Sequence, residues 1–542
     1  MKLYPLSKTS LLRTRFLHRE VFYCKELQNP KQATTKFKQN NIKPPIMKKL
    51  FFLLIVLFVF QFTVNAQTAD DALRYSQTGQ IGTARSLGAG GAFGALGADF
   101  SSLSINPAGI GLYRKSEFTI TPSLFFAGTE SEYLGTANTD NRNTFNLNSA
   151  GLVFKGGGRR PDSDWRAVNF GFGFNRINNY NRRTLLVGYN DKNSLLDHYA
   201  QQASGTPGNQ VRDTYPFDAG LAYFAYLINP TNPGSTEYVG VTNGFGVEQQ
   251  EYITNKRATD EMVISMGANY KDKLYFGATL GVPFVRFASE KFYTETDVND
   301  NIQGQATDLG AYDFNSFELT ESLKATGAGI NGKLGLIYRP HDMVRIGGAV
   351  HTPTLISLNE KYSSSMAADF ADFDTTLYSP EGEYDYQLTT PWRLVGSLAL
   401  LFKEYGFVSV DYEWADYSQT EFTFDDAPED RLLASEINRE IGNRFTATSN
   451  LRIGAEFAYN ILRLRGGYTF STSPYKNFSD YKQQSLSAGV GFRDKSVFCD
   501  VAYVYSFGKN NYYPYTLNGS DVTPATLKNN SGNILLTLGF RL

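Results

Sequence analysis

The 542-residue chain carries 52 Lys and Arg against 53 Asp and Glu, together with 34 Tyr, 41 Phe and two cysteines. Residues 1–66 hold 12 of the basic and 2 of the acidic residues; the remainder has 40 against 51, a net charge of −11 that argues against nucleic acid as a partner. Cys24 and Cys499 fall on opposite sides of that boundary, which excludes an internal disulfide and a CxxC metal site from the part after Ala66.

Residues 1–46 are basic and patternless. Met47-Lys48-Lys49, the apolar run Leu50–Phe60 and Val64-Asn65-Ala66 then form the charged, apolar and small-residue regions of a secretory signal peptide, 47–66, cut after Ala66. Such a peptide starts at its chain's own first Met, so Met47 is the expected start, 1–46 an over-extended reading of the gene, and Gln67 the first mature residue. No other apolar stretch approaches the roughly eighteen residues of a membrane helix, so an exported chain of this kind enters a membrane only as a closed barrel.

Residues 67–77 read as one short helix with Asp70 or Asp71 at its N-cap. GTARSLGAGGAFGALGADFSSLSINPAGIG follows, glycine, alanine and serine with isolated Leu and Phe, too few large apolar residues to fold alone. No apolar strand leads into GAGGAFG, which disfavours a phosphate-cradling loop, and a disordered tail would be richer in charge and proline. A compact plug fits best, because small residues let irregular backbone pack closely on a barrel's inner wall. Residues 67–115 are therefore expected to form a hatch.

From Ser116 onward the period is two. Val168, Phe170, Phe172 and Phe174 alternate with Asn169, Gly171 and Gly173; Ile534, Leu536, Leu538 and Phe540 alternate with Leu535, Thr537, Gly539 and Arg541. The pattern predicts fourteen strands, near 116–127, 144–155, 165–180, 261–270, 274–287, 317–338, 343–356, 384–402, 406–418, 445–459, 461–471, 484–492, 496–507 and 531–542. A soluble sandwich alternates in the same way, but here short connections (GGGRRPDSD, KDK, RPHD, KEY, Asn460, RDK) alternate with long polar ones, the pattern of a membrane barrel. The last strand can close on the first and remove both edges. The fold class is thus all-β, a fourteen-stranded antiparallel transmembrane β-barrel over 116–542 with an N-terminal lumenal hatch, placed in a Gram-negative type outer membrane in contact with its lipid.

The longest loop, 181–260, carries two amphipathic segments. Leu195, Leu196 and Tyr199 share one face of the first, and Leu221, Phe224 and Leu227 one face of the second. They form a hydrophobic capture groove or pack on each other as a lid. If Leu394, Leu398 and Leu400 face lipid, alternation turns Arg393 inward together with Lys333, Arg345, His351, Asp411, Glu413, Arg452, Glu456, Arg463, Arg465, Asp500 and Arg541. Salt bridging is the ordinary role of such charges; Lys333, Arg345, Arg393 and Arg452 are the candidates for meeting a substrate carboxylate.

These features together resemble the FadL/TodX family of outer-membrane transport proteins, which carry long-chain fatty acids and other hydrophobic molecules. The residues that carry the resemblance are Asn106-Pro107-Ala108-Gly109 just ahead of the first strand, VNFGFGFNRINNYN, TGAGINGKLGLIYRP followed by VRIGGAVHTP, and TTPWRLVGSLALLF followed by FVSVDYEWADYS. The resemblance implies that Asn106, Pro107, Ala108 and Gly109 belong to the hatch and ligand path. It also implies a kinked third strand within Gly171–Asn179, with Gly171, Gly173, Asn175, Asn178 and Asn179, through which ligand leaves sideways into the bilayer. The physical case for that exit is that an amphiphile released into water loses about 0.8 kcal/mol per CH2.

The expected function is passive uptake of a hydrophobic small molecule by a monomer, without enzyme activity, cofactor or metal. A lipid hydrolase would need a Ser/His/acid set, and no GxSxG is present. Haem capture is the alternative, with His198 as axial ligand beside Tyr199. Ligand identity is open at this stage.

Overall fold

The computed structural model describes residues 68–156, 163–307, 310–424, 427–519 and 521–542; the signal peptide and the segment upstream of it lie outside the described residues. No helix among them is long and apolar enough to cross a membrane. Fourteen wall strands run in chain order around a closed ring: β1 Glu117–Tyr133, β2 Thr136–Gly156, β3 Trp165–Asn179, β4 Ala258–Tyr270, β5 Leu274–Thr296, β6 Phe314–His341, β7 Val344–His351, β8 Arg393–Leu401, β9 Gly406–Asp416, β10 Ala447–Tyr459, β11 Leu462–Ser471, β12 Gln483–Arg493, β13 Val497–Tyr512 and β14 Ala525–Arg541. Every neighbouring pair is antiparallel, and β14 closes on β1 from Glu117–Arg541 to Glu132–Thr526.

Short turns gather at one end and long connections at the other, as alternation of loop length requires. Several long connections differ from expectation, two of them most. The stretch 128–143 is not a loop: β1 and β2 continue to Tyr133 and Thr136 and turn through Leu134-Gly135, both with positive φ, the geometry that matches strand twist in a two-residue hairpin. Loop 181–260 is strand at both ends, Arg182–Asn190 pairing with Val247–Lys256, and helical between them. Polar composition misled the reading in both cases, because strands that rise beyond the lipid need no apolar outer face. β7 and β8 also continue past the belt, as Leu355–Phe370 and Gly382–Thr389, after breaks at Thr352-Pro353-Thr354 and Thr390-Pro391-Trp392 where proline cannot donate to a ladder.

Alternation sorts the two faces. Phe170, Leu394, Leu398, Leu464, Leu486 and Leu536 are exposed on the outer face, while Lys333, His351, Arg393, Asp411, Glu413, Arg465 and Asp500 are buried inside. The inward charges pair: Arg465 with Glu456 and Asp500, each at 2.6 Å, and Arg541 with Glu117 at 3.1 Å.

The lumen is filled by residues 68–115. Helix α1 (Ala69–Ser76) begins at Thr68 rather than at Asp70 or Asp71. Thr68 N and Oγ1 both donate to Asp71 Oδ2, at 3.0 and 2.7 Å, and Asp70 is used elsewhere. After α2 (Ala84–Gly88) and α3 (Ser102–Ile105), a 3-10 turn over Pro107–Leu112 leads to β1. Small hatch residues meet glycines of the inner wall at close range. Gly277 faces Pro107 and Ala108, Gly335 faces Asn106, Gly347 faces Gly94, Gly454 faces Ala89, Gly467 faces Gly90 and Gly489 faces Gly88; a Cβ on any of the six would press into the hatch. Polar bonds fix the depth: Asp411 Oδ2 accepts from Gly94 N at 2.8 Å, Asn169 Nδ2 donates to the Ile110 and Tyr113 carbonyls at 2.8 and 3.0 Å, and Arg85 lies 3.8 Å from Glu456.

Gly467→Val therefore forces the hatch off the wall without touching a ladder bond. The barrel should keep its far-UV circular dichroism while its thermal midpoint falls by the equivalent of about 1–3 kcal/mol, and liposome swelling should show solute leakage absent from the parent.

Candidate functional site

Above the hatch lies a lumenal cavity of about 270 Å3. Its floor is Ile81, Leu87, Gly90, Gly91, Ser104 and Ile105, and its roof Tyr75 and Ser76 of α1. The walls are mainly Ser, Thr and Asn, among them Ser123, Asn146, Asn148, Asn331, Asn450, Ser485 and Asn533. Helix α1 lies at the long-loop end, where Ala69, Ala72, Leu73 and Tyr75 join an apolar cluster with Ile437, Ile441 and Phe445. Asp70 there meets Arg444 at 3.0 Å and accepts from Tyr475 OH.

Three of the four basic candidates line this cavity: Lys333, Arg393 and Arg452. Each is already neutralised. Lys333 Nζ lies 2.6 Å from Glu261, Arg452 2.9 Å from Glu413 and Arg393 3.6 Å from Glu413, and Arg393 also donates to the Ser76 carbonyl and to Thr78 Oγ1 of the hatch. Arg345 does not reach the cavity; its Nη1 donates to the Leu96 carbonyl within the hatch at 2.5 Å. The sequence reading missed Arg182, just beyond the kink. It lines the cavity, and its Nη1 donates to the Gly128 carbonyl at 2.7 Å, Asn529 Oδ1 at 2.9 Å and Thr129 Oγ1 at 3.2 Å. Among the described residues no carboxylate pairs with it. Its place in the polar run NRINNYNRR was the available signal.

The hatch motif sits below this space. Asn106 is buried; its Nδ2 donates to the Gly94 carbonyl at 2.6 Å and the Leu336 carbonyl at 3.3 Å, and its Oδ1 caps Ala108 N at 3.2 Å. Pro107, Ala108 and Gly109 are buried with it in the 3-10 turn, and none of the four lines the cavity. Asn106 thus ties the hatch to itself and to β6.

Around the cavity the wall parts at one point. The β2–β3 ladder runs from Gly156–Val168 to Ser149–Asn175 and stops, so Thr136–Asn148 of β2 has no strand partner on that side among the described residues. β3 stays paired with β4 to Asn179, with a bulge between Arg176 and Asn178. Arg182–Asn190 then passes behind the β1–β2 hairpin, where Ser131 Oγ donates to the Leu185 carbonyl. Gly171 and Gly173 lie below this point against Leu103 and Phe100 of the hatch, and Gly173 holds a φ of +157° that a side chain would strain. Asn175 Nδ2 donates to Ser104 Oγ at 2.9 Å. Asn178 and Asn179 line the cavity, and Asn178 Nδ2 donates to the Gln77 carbonyl at 3.2 Å.

The loop segments form a packed lid. α4 (Leu195–Ala203), α5 (Gly208–Thr214) and α6 (Ala219–Phe224) bury Leu195, Leu196, Tyr199, Leu221 and Leu227 in one cluster with Phe317 of β6 and Tyr293 of β5, and leave only Phe224 of the six candidates exposed. Glu295 pins α4 from β5, accepting from Leu195 N, Gln249 Nε2 and Tyr293 OH at 2.7–2.8 Å and from Ser194 Oγ. His198 lies outside the cavity lining, its Nδ1 2.7 Å from the Thr516 carbonyl.

The fold of this barrel is found among solved structures. One, a Pseudomonas aeruginosa FadL homologue, superposes with a TM-score of 0.50 at 13% identity, over 86% of this chain and 99% of its own. The chain has the FadL fold. The Pseudomonas putida toluene transporter TodX (TM-score 0.49, 14% identity, 86% and 99% covered) and the Ralstonia pickettii toluene transporter TbuX (0.47, 16%, 87% and 100%) also match. A scan of protein-family models and a search of curated proteins gave no match.

One buried acid between lid and wall leads to an expected pH dependence of stability. Glu251, far above the lipid belt, accepts from Tyr512 OH at 2.7 Å, and burial pushes its carboxyl up to about 7. A raised acid pKa means that stability falls as pH climbs from about 4.5 to about 7. Glu251→Gln should therefore gain about 1–3 kcal/mol at pH 8 and nothing at pH 4, read as thermal midpoints at the two pH values.

Proposed function

We propose that this protein is a FadL/TodX-type outer-membrane channel for passive uptake of hydrophobic small molecules, long-chain fatty acids foremost. In this reading the long-loop end is extracellular, ligand rests in the cavity above the hatch, and it leaves sideways where β2 and β3 separate. The observation that carries the reading is the adjacency of the two: Asn146, Asn148, Arg176, Asn178 and Asn179 line the cavity and flank the parting of the wall. The cavity, about 270 Å3, lies just below the roughly 300–1,000 Å3 of small-molecule pockets.

The lining favours an anionic head group over a plain hydrocarbon. Lys333, Arg393, Arg452, Arg176 and Arg182 are set against the lining carboxylates Glu261 and Glu413, and Arg182 has only neutral acceptors. Helix α1 lies at the long-loop end, with Asp70 held by Arg444 and Tyr475 of the outer loops. No covalent chemistry is required of any residue.

Native mass spectrometry of the detergent-purified protein should show a co-purifying fatty acid. Arg182→Ala should weaken oleate binding about ten- to a hundredfold, the range of one hydrogen bond to a charged group, and leave methyl oleate binding unchanged. Bound haem with a Soret band lost in His198→Ala would overturn the reading in favour of a haem receptor.

A further inference from the structure

Where β2 and β3 separate, one side chain spans the interval. Arg176 is the first residue of β3 beyond the last β2–β3 pair, Ser149–Asn175. Its Nε donates to Asp260 Oδ1 on β4 at 2.9 Å, and its Nη1 donates to Asn146 Oδ1 on β2 at 2.5 Å. Arg286 of β5 donates to the other Asp260 oxygen at 2.9 Å, so the carboxylate that positions Arg176 is itself fixed from a third strand. Among the described residues this is the side-chain hydrogen bond that joins β3 to β2 above their last ladder pair. Asn146 is buried, both residues line the cavity, and the Asn146 amide nitrogen turns back on its own strand at Thr144.

The chemistry of the bridge is unequal. Both bonds are charge-assisted because the donor is a guanidinium, but Asp260 adds an opposite charge to its hydrogen bond, whereas Asn146 offers only a neutral amide oxygen. A carboxylate arriving from the cavity is the better partner for the Nη1 side of Arg176, while Asp260 keeps the Nε side. We propose that Arg176 and Asn146 form a latch across the parting of the wall, closed in the resting barrel and released when a ligand carboxylate takes the place of Asn146. The proposal rests on the uptake reading and adds selection at the exit: an acid opens the latch, and an ester or hydrocarbon of the same length meets it shut.

The test compares uptake of radiolabelled oleate and radiolabelled methyl oleate by cells expressing the full chain. The parent should take up oleate well ahead of the ester. Asn146→Ala removes the latch, so ester uptake should rise severalfold towards the acid. Asn146→Asp supplies a resident carboxylate, so oleate uptake should fall about tenfold to the ester's rate while oleate binding to the purified protein is kept. Both variants leave the ladder, the hatch and Asp260 intact, and unchanged thermal midpoints confirm the fold. An acid-to-ester ratio that neither variant alters, in a parent that transports, overturns the latch alone. A parent with no saturable uptake of either probe overturns the channel reading and the latch together.

Discussion

A β-strand in hydrocarbon has no water to satisfy its free edge, so the sheet must close on itself. That constraint shapes the molecule. It joins β1 to β14 along nearly their full length, directs large apolar side chains outward, and leaves the inner face polar because alternate residues have nowhere else to point. Relief from the constraint is allowed only where water or protein can replace lipid. The β2–β3 ladder lapses along a stretch that reads TANTDNRNTFNLN, polar enough to be solvated, and the strand that leaves the wall is received by the inner face of the β1–β2 hairpin.

A closed fourteen-stranded ring encloses more space than its own side chains fill, and the hatch answers that. It holds to the wall both by surface matching and by a few large apolar residues, with Phe93 against Phe407 and Phe100, Leu103 and Ile110 in one cluster with Val153 and Val263. Glycines on β5, β6, β7, β10, β11 and β12 let hatch backbone approach within contact distance, and a few buried polar bonds set its depth. The same economy explains the charged interior. Lys333, Arg393, Arg452 and Arg465 are held by Glu261, Glu413, Glu456 and Asp500, since an uncompensated charge in such a place costs several kcal/mol. Arg182 and Arg345 have no carboxylate partner among the described residues; Arg345 is spent on the Leu96 carbonyl of the hatch, and Arg182 faces the cavity.

Much of the wall was legible in the sequence because period two, loop-length alternation and a strand at the C-terminus are local or nearly local properties. Lys333, Arg393 and Arg452 were placed inward by alternation alone. That they pair was expected; which acid meets each was not legible, because each partner lies on another strand and the register decides who meets whom. Arg345 shows the limit: it has the parity of the others, yet its height brings it to the Leu96 carbonyl of the hatch instead of the cavity. The resemblance placed Asn106 in the hatch and ligand path and left open whether it meets a ligand or holds the hatch; its partners are backbone carbonyls and an amide. Leu195, Leu196, Tyr199, Leu221 and Leu227 turned out to face each other and the wall rather than a ligand, a choice between groove and lid that amphipathicity cannot make.

The sequence by itself determined the barrel, its strand number, the inward direction of the charged wall residues and the existence of a small-residue plug, because these follow from residue spacing and from the energetics of backbone in lipid. Only the tertiary structure decided that polar stretches such as 128–143 and the ends of 181–260 are strands rather than loops, that helix α1 lies at the long-loop end, and that Arg176 reaches Asn146 across the gap. Those features depend on contacts between residues far apart in the chain, whose meeting is set by strand register and shear around the closed ring, quantities that no local pattern encodes.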